Sequence, residues 1–492
     1  MSFCSVPGLS SQMRRAAVLA ASLSVLTACA PDLGPKSQVW PIGDYAATKV
    51  FTVNPIDWPA LDWWKAYNDP VLTGLIDRAL KTAPDLKAVQ ARLTEALAAR
   101  ESAAAKLYPT LSAKGSIEET GVAVNFPGTP SEFKQFLPSD AQPFTQLSAN
   151  LSYELDFFGR NHAAVAAASS QAKAAEFELA AARLQLSAAV ATAYANLILA
   201  KTDREAAAEA SRLRESSRTL VADRQRNGLE TRAEYSQSDA VRESSEVDLI
   251  AATGAELEAR YALAAVVGVG PDAFLDLKPS DNLIVTPIGL PQNLAADLIG
   301  RRPDVAAARL RVEAAAQREK VARADFYPNI NLVGSALALS ITPQDIFTHN
   351  VELVQVGPAV TLPIFDGGQR SGALRNARGE YEEAVANYDK AVVDALHQVS
   401  DAITIRQGAQ ASIDHAKKGL AASQDAYNLA TMRYKAGLTT YLTVLTDENS
   451  LVASRKQLDD LQAQAIGADV SLIRALGGGF AEAAPAQSSK TP

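Results

Sequence analysis

The chain has 492 residues, a formal net charge of −8 and a pI near 5.3, so no dominant basic surface indicates nucleic-acid binding. Aromatic residues make up only 6% of the sequence while alanine is abundant, a composition typical of long, closely packed helices. The two cysteines, Cys4 and Cys29, and the scattered histidines form no disulfide framework or metal-ligand spacing, and no catalytic motif is found. We therefore expect no enzyme and no cofactor.

A secretory signal peptide is predicted over residues 1–28. Arg14 and Arg15 precede an apolar run of 13 residues, 16–28, which is too short to cross a bilayer as a helix. Translation could begin at Met1 or at Met13, because the first twelve residues are an unusual extension for such a signal.

The signal ends in Leu26-Thr27-Ala28-Cys29, which resembles a bacterial lipobox. The resemblance implies cleavage before Cys29 and acylation of that cysteine, for example with palmitate, which would tether the chain to a membrane. Ala30, in the second mature position, resembles an outer-membrane sorting signal. The alternative is a plain signal peptide with an incidental cysteine.

Residues 29–68 contain prolines and tryptophans without long periodicity, and they favour an extended lipid-anchored tether. Trp58, Trp63 and Trp64 are expected to pack this tether along a neighbouring surface. Helical periodicity begins at Asp69-Pro70, where proline is tolerated in the first turn, and a second helix is predicted to begin at Pro84-Asp85.

The chain contains the same pattern twice. Pro84-Asp85 is followed by Pro303-Asp304 at an interval of 219 residues, and Gly228-Leu229 by Gly437-Leu438 at an interval of 209. A longer inter-strand loop in the first half accounts for the difference. The predicted organisation is a first repeat over 69–270, a connector over 271–290, a second repeat over 291–476 and a disordered tail over 477–492.

Each repeat is predicted to contain a strand pair. From Gln146 to Phe157 polar and apolar residues alternate over a length that matches a membrane-spanning β-strand, although a strand of an ordinary sandwich would alternate in the same way. Pro358 and Pro363 lack an amide donor and indicate a bulge or a strand end. The predicted strands cover about 108–124, 143–157, 327–341 and 352–365.

Four strands cannot close into a barrel, and lipid would leave the edge hydrogen bonds of an open sheet unsatisfied. Strands that lie in a membrane would therefore belong to a barrel shared by several chains, and three copies would supply about twelve strands.

A long helical hairpin follows each strand pair. Residues 161–226 and 370–436 contain no proline, and at about 1.5 Å per residue each run extends roughly 100 Å. Each run ends at a Gly-Leu turn and is followed by a return helix, so hairpins are predicted over 160–267 and 369–476. Helices of this length require a coiled coil or a tube of neighbouring helices.

This ordered set of features resembles the TolC-type outer-membrane efflux factors, in particular their lipoprotein (NodT/OprM-like) branch. The most specific motif runs from Val356-Gly357-Pro358 to Leu362-Pro363-Ile364-Phe365-Asp366-Gly367-Gly368, and the resemblance covers residues 29–476. It implies a mixed α/β membrane protein: a homotrimer in which a twelve-stranded transmembrane β-barrel, shared by three chains, continues as a long α-helical barrel across the periplasm.

The same resemblance implies an outer-membrane channel of a tripartite efflux system that passively conducts small molecules. Its implied partners are a periplasmic adaptor, an inner-membrane pump and outer-membrane lipid. An exit duct for protein or peptide secretion is an alternative. A periplasmic helical scaffold without a pore is another, but it would not need strand pairs of membrane-spanning length.

The resemblance also suggests site residues. Tyr434, Thr443 and Thr446 match positions where some members carry gate-closing tyrosine and aspartate, and the replacement of aspartate by threonine leads to the hypothesis that the carboxylate ring has moved to Asp447. The alternative is that Asp447 is only a solvated helix residue. The implied adaptor-facing tips are Arg226, Asn227, Gly228 and Leu229, and Lys435, Ala436, Gly437 and Leu438.

Overall fold

The structure, a computed structural model, describes part of the chain. The described residues are 31–41, 57–120, 142–280, 291, 298, 300–340, 343–348 and 351–481. The predicted signal peptide, Cys29 and the inter-strand loop of the first repeat lie outside them, as does the second half of the predicted connector.

Two pairs of helices recur with equal lengths in the two halves of the chain, which confirms the tandem repeat. Helices α2 and α5 each have 22 residues and begin at a proline, and α3 and α6 each have 67 residues, or about 100 Å at 1.5 Å per residue. Within the described residues, no helix has the length and apolar character needed to cross a bilayer. The helices are α1 (Pro70–Thr82), α2 (Pro84–Ala105), α3 (Arg160–Arg226), α4 (Arg232–Val267), α5 (Pro303–Ala324), α6 (Gln369–Lys435) and α7 (Tyr441–Ala475).

Two compact units divide the chain, and the long helices α3 and α6 pass from one to the other. The first unit, which we call the sheet unit, contains the four strands. The second, the hairpin unit, contains α4, α7 and most of the long helices. The sheet unit comprises Met1–Gln38, Glu95–Ala172 and Leu310–Val385, and the hairpin unit comprises Val39–Thr94, Lys173–Arg309 and Ala386–Pro492.

The sheet unit is built on one antiparallel sheet with the strand order β1-β2-β3-β4. Strands of 11 to 13 residues are long enough to span a bilayer. Within the described residues, β1 and β4 each pair on one side only, so both edges of the sheet are open. The strands are β1 (Thr110–Thr120), β2 (Gln142–Glu154), β3 (Asn329–Ser340) and β4 (Val351–Thr361).

The register gives the sheet one predominantly apolar face, while the opposite face is mostly polar along β1 and β2 but also carries Leu337 on β3 and Leu353 on β4. One row across all four strands is Leu111, Leu151, Gly334 and Val356, and the adjacent row is Ser112, Asn150, Ser335 and Gln355. Leu111 and Val356 on the edge strands are 76% and 78% exposed, so the apolar face is uncovered in the single chain. A face of this kind is suited to contact with lipid.

The predicted bulge or strand end at Pro358 is wrong. Pro358 pairs with Leu332, and the register continues without interruption to Thr361. Proline is tolerated here because β4 is an edge strand of this sheet. Pro363 lies just beyond the end of the strand.

The two long helices begin in the same way. Asp156 accepts hydrogen bonds from the backbone amides of Asn161 (3.1 Å) and His162 (2.8 Å) at the start of α3. Asp366, 210 residues later, accepts from the amides of Gly368 (3.0 Å) and Arg370 (3.1 Å) at the start of α6. Each carboxylate satisfies amides that have no partner within the helix, so these aspartates fix where each strand pair gives way to a helix.

The core of the hairpin unit includes residues that were predicted to lie in an extended tether. Trp63–Tyr67 form a 3-10 helix, and Trp63 and Trp64 are buried against α1 and its neighbours rather than extended along a surface. Asp69 caps α1 through the amides of Val71 and Leu72 and also accepts a 2.9 Å hydrogen bond from the Tyr194 hydroxyl.

The start of the C-terminal tail, which was predicted to be disordered from residue 477, is ordered in the structure. Gly477, Gly478 and Gly479 all have positive φ and pack so closely that a Cβ on Gly477 would lie 1.9 Å from the Arg301 carbonyl oxygen. Phe480 then packs edge-on against Phe177, with ring centroids 5.3 Å apart. Residues 477–480 are therefore part of the fold, and 482–492 lie outside the described residues.

Candidate functional site at the hairpin tips

Both helical hairpins turn with the same backbone geometry. Gly228 (φ 72°) and Gly437 (φ 75°) adopt the left-handed conformation that glycine allows. The amides of Leu229 and Leu438 then donate 2.8 Å hydrogen bonds back to the carbonyls of Arg224 and Arg433, closing a Schellman motif. The side chains of Leu229 and Leu438 are mostly exposed, so each tip presents an apolar group beside a basic one, Arg226 or Lys435.

The return helices are capped differently. Thr231 accepts a hydrogen bond from the Ala233 amide, and its own backbone amide donates to the Glu234 carboxylate, forming a capping box at the start of α4. Thr440 occupies the corresponding position before α7 and makes no side-chain cap. The second tip is therefore less firmly fixed than the first.

Arg224 links the first hairpin to the second. Its Nε lies 3.1 Å from Oε1 of Glu230, its Nη1 donates to the Tyr434 carbonyl at 3.4 Å, and its guanidinium lies 4.7 Å from the centroid of the Tyr434 ring. Tyr434 is almost fully buried and packs against Tyr441, with the two ring centroids 6.0 Å apart. Burial and the neighbouring Glu230 carboxylate raise the pKa of Tyr434 well above its usual range, so the hydroxyl stays protonated.

A second link lies further along the same helices. The Nε of Arg214 on α3 donates to Oε1 of Glu448 on α7 at 3.0 Å, and Nη2 of Arg214 donates to Asn449 at 3.1 Å. Glu448 is fully buried. Burial raises the pKa of its carboxyl above the usual range, and the adjacent guanidinium offsets only part of that effect. The burial cost of a buried ion pair is often as large as its attraction.

The predicted gate residues are separated by this arrangement. Tyr434 lies in the buried tyrosine cluster with Tyr441, whose pKa burial and the nearby Glu448 raise to about 12. Thr443 and Thr446 are exposed on α7, where the Thr446 hydroxyl donates to the Leu442 carbonyl at 2.9 Å. Asp447 is half-buried and makes no ion pair with any described residue.

Sequence reasoning missed the residues that join the two hairpins, which are Arg214, Arg224, Glu230 and Glu448. Glu448 follows Asp447 and lies about 100° further around the helix, which takes its side chain from the half-buried side to the buried side. The available signal was the seven-residue spacing of Tyr427 and Tyr434 on α6, which indicates a buried helical stripe. Tyr441, at the start of α7, packs into the same buried cluster.

Comparison with known proteins gives a consistent result. Residues 75–269 and 294–478 match the model of the outer membrane efflux protein family. The pyoverdine export outer membrane protein OpmQ of Pseudomonas aeruginosa is 30% identical over 423 residues, which cover 85% of this chain and 87% of that protein. The cation efflux system protein CusC of Escherichia coli K12 is 29% identical over 418 residues, covering 85% and 88%.

Solved structures of similar fold are also outer-membrane proteins. The outer membrane protein VceC from Vibrio cholerae is 36% identical with a TM-score of 0.78, covering 86% of this chain and all of that one. The outer-membrane channel OprN gives 26% identity and a TM-score of 0.79 over 92% of this chain and 99% of that one. The chain therefore belongs to the outer membrane efflux protein family, a family of channels rather than enzymes, and is the outer-membrane channel component of a tripartite efflux system.

Proposed function

We propose that three copies of this chain form one channel, in which each contributes its four strands to a shared twelve-stranded β-barrel. The observation that supports this assembly is the sheet with two open edges and an uncovered apolar face. Unpaired edge strands are unfavourable in lipid, and pairing β1 of one copy with β4 of the next removes every edge. The long helices of the three copies then form the periplasmic tunnel.

The tips are proposed to meet the periplasmic adaptor, while an inner-membrane pump supplies the energy for transport. The two Schellman turns, Arg226–Leu229 and Lys435–Leu438, support this role because each presents an exposed leucine and a basic residue at the end of a hairpin. Acylation of Cys29 anchors the assembly in the outer membrane, where it contacts lipid directly.

Transported cargo is proposed to be small molecules that pass without chemical change. Among relatives, OpmQ is named for pyoverdine export and CusC for cation efflux, so family membership leaves the cargo of this chain open.

The closed state of the channel is proposed to depend on the links between the two hairpins of each chain. Arg224 with Tyr434, and Arg214 with Glu448, are among the contacts that must break if the hairpins separate. Thr443, Thr446 and Asp447 lie on the side of α7 that these contacts leave free, where they are available to line the pore. Asp447 then supplies the carboxylate ring of the closed pore, and the ion pair of Glu448 with Arg214, which we call the latch, holds the two hairpins together.

The experiment is to measure conductance of the detergent-extracted protein in planar bilayers, with the mass of the oligomer determined in parallel. We expect a trimer that gives small, cation-selective conductance steps. A monomer without conductance would contradict the shared barrel and favour a periplasmic scaffold. Large steps that pass folded polypeptide would favour a secretion duct.

A further inference from the structure

The segment that follows Cys29 lies on the helices of the sheet unit rather than free beside them. We call residues 31–38, which belong to the sheet unit, the strap. The Tyr381 hydroxyl on α6 donates to the Ser37 carbonyl at 3.0 Å, and Nη2 of Arg378 lies 3.5 Å from the Gly34 carbonyl oxygen. Lys36 Nζ lies 5.3 Å from the centroid of the Tyr381 ring. These contacts hold Gly34 and Ser37 of the strap on adjacent turns of one helix.

Glu319 on α5 lies at the centre of the contacts. Its Oε2 is 2.7 Å from Lys36 Nζ, and its Oε1 is 3.4 Å from the guanidinium nitrogens of both Arg378 and Arg323. The Glu319 side chain is 1% exposed, whereas that of Lys36 is 41% exposed. One buried carboxylate therefore holds three cations together, and without its charge those cations would repel one another.

The direction of the strap indicates where its beginning lies. Gly34 is level with Arg378 and Ser37 with Tyr381, so the strap runs along α6 and its earlier residues point towards the start of that helix. Arg378 is nine residues, or about 14 Å, from the first residue of α6 at Gln369. Cys29 precedes Gly34 by five residue steps, which can span at most about 18 Å.

That reach ends at the junction between strands and helices. Exposed aromatic and aliphatic side chains lie there, including Phe157 after β2 and Ile364 and Phe365 after β4, the last two 91% and 90% exposed. Such side chains favour the boundary between water and hydrocarbon. The strap therefore allows Cys29 to reach this boundary and only a few ångströms beyond it.

We propose that Glu319 clamps the strap to α5 and α6, and that this clamp fixes an acylated Cys29 at the level where the strands meet the helices. The inference rests on the proposed acylation of Cys29. Glu319 then has a positioning role. The membrane holds the acyl group, and Glu319 fixes how many residues of the polypeptide lie between the membrane and the helices.

Limited trypsin digestion of the intact, detergent-extracted protein tests the clamp. Cleavage after Lys36 requires the strap to leave the helices, so its rate reports strap opening. We expect Glu319→Gln to be cut at Lys36 at least about tenfold faster than the parent, which corresponds to a loss of about 1.4 kcal/mol of docking free energy. Glu383→Gln, an exposed glutamate on α6, is the matched control and should leave the rate unchanged.

A second variant covers the case in which Glu319→Gln does not assemble. Tyr381→Phe removes only the hydroxyl that donates to Ser37, and we expect cleavage about two- to fivefold faster, as the loss of one hydrogen bond predicts. A parent-like rate in an assembled Glu319→Gln protein, or in Tyr381→Phe if the first variant fails to assemble, would overturn the clamp.

The same digest separates the clamp from the acylation on which it rests. Cleavage after Lys36 releases the peptide Cys29–Lys36, whose mass shows directly whether lipid is attached. A peptide without lipid would refute the acylation, whatever the cleavage rates. A lipid-bearing peptide released at equal rates from the parent and Glu319→Gln would refute the clamp alone.

The level of the anchor is tested by quenching with brominated phospholipid. We expect Phe365→Trp to gain fluorescence that brominated lipid quenches strongly. We expect Leu438→Trp, in the turn after the C-terminal end of α6, to gain fluorescence that brominated lipid leaves unquenched. Equal quenching of the two variants would contradict placement of the boundary at the strand–helix junction.

Discussion

Nε of Arg214 lies 3.0 Å from Oε1 of Glu448, and this contact joins α3 to α7 across 234 residues of sequence. The pair is buried on the Glu448 side and partly open on the Arg214 side, where Asp248 and Asn449 also lie close. Substituting Glu448 and substituting Arg214 should therefore have different effects on the protein.

Glu448→Gln tests whether the pair keeps the channel closed. The substitution preserves shape and removes the charge that Arg214 binds, while Arg214 keeps Asp248 and Asn449 as partners. A hydrogen bond to a charged group contributes about 1.5–3 kcal/mol, so losing even the lower figure would raise the open-to-closed ratio about tenfold. Single-channel recording should show longer openings. Asp447→Asn is the control, and we expect it to alter cation selectivity instead; longer openings there and none in Glu448→Gln would assign the latch to Asp447.

Arg214→Met tests the energetic cost of the buried carboxylate. Without its cation Glu448 remains buried and unpaired, which costs about 3–5 kcal/mol at neutral pH. Burial already raises the pKa of the Glu448 carboxyl above its usual value of 4.5, so the folded protein binds this proton more tightly than the unfolded chain does. Stability from this group is thus fully present below pH 4.5 and is lost as the pH rises through the folded pKa.

The midpoint of thermal loss of helical signal is the measurement for Arg214→Met. We expect a deficit at pH 7.5 that shrinks at pH 5, and we expect the double variant with Glu448→Gln to recover most of it. A deficit of equal size at both pH values, or one that persists in the double variant, would show that Arg214 stabilises the fold by packing and not by charge.

Asp156→Ala removes the carboxylate at the start of α3. Two backbone amides lose their acceptor, and we expect a cost of about 1 kcal/mol in the stability of the sheet unit. Asp156→Asn retains a capping oxygen and should retain most of the stability. Heat-induced dissociation of the proposed trimer, followed by gel mobility, measures the difference. Equal losses in both variants would argue that charge and not capping is important at this position.

Gly477→Ala tests whether the start of the C-terminal tail is part of the fold. A Cβ at this position meets the Arg301 carbonyl on a backbone with φ of 87°, so we expect a loss of at least about 1–3 kcal/mol. Gly467→Ala in α7 is the matched control, because no atom lies within 4 Å of its Cβ and alanine favours the helix by about 0.5–1 kcal/mol. A parent-like melting temperature for Gly477→Ala would contradict the packed tail.

Local signals in the sequence identified much of the fold. Missing prolines predicted the long helices, and Gly228 and Gly437 marked their ends because a left-handed turn requires glycine. Alternation along β2 predicted its apolar face, and the structure places Leu151 in an apolar row that crosses all four strands.

Contacts between distant segments could not be predicted in the same way. The rotation of α3 against α7 decides that Glu448 and not Asp447 meets Arg214, and one residue of rotation changes that partner. The strap was predicted to be a tether because its residues lack periodicity, yet it is held by backbone carbonyls and one charged side chain, which leave no periodic pattern. A run of glycines at 477–479 is typical of a flexible tail in the sequence. In the structure the same lack of side chains lets these glycines pack closely against neighbouring residues.

The unequal caps on the return helices have a consequence for symmetry. In the proposed trimer, the duplicated chain would present six hairpins that are nearly, but not strictly, equivalent. Thr231 closes a capping box and Thr440 does not, so rigid and adaptable tips would alternate around the ring. A partner built from six identical subunits would therefore meet two kinds of site, and its subunits would have to bind as three pairs.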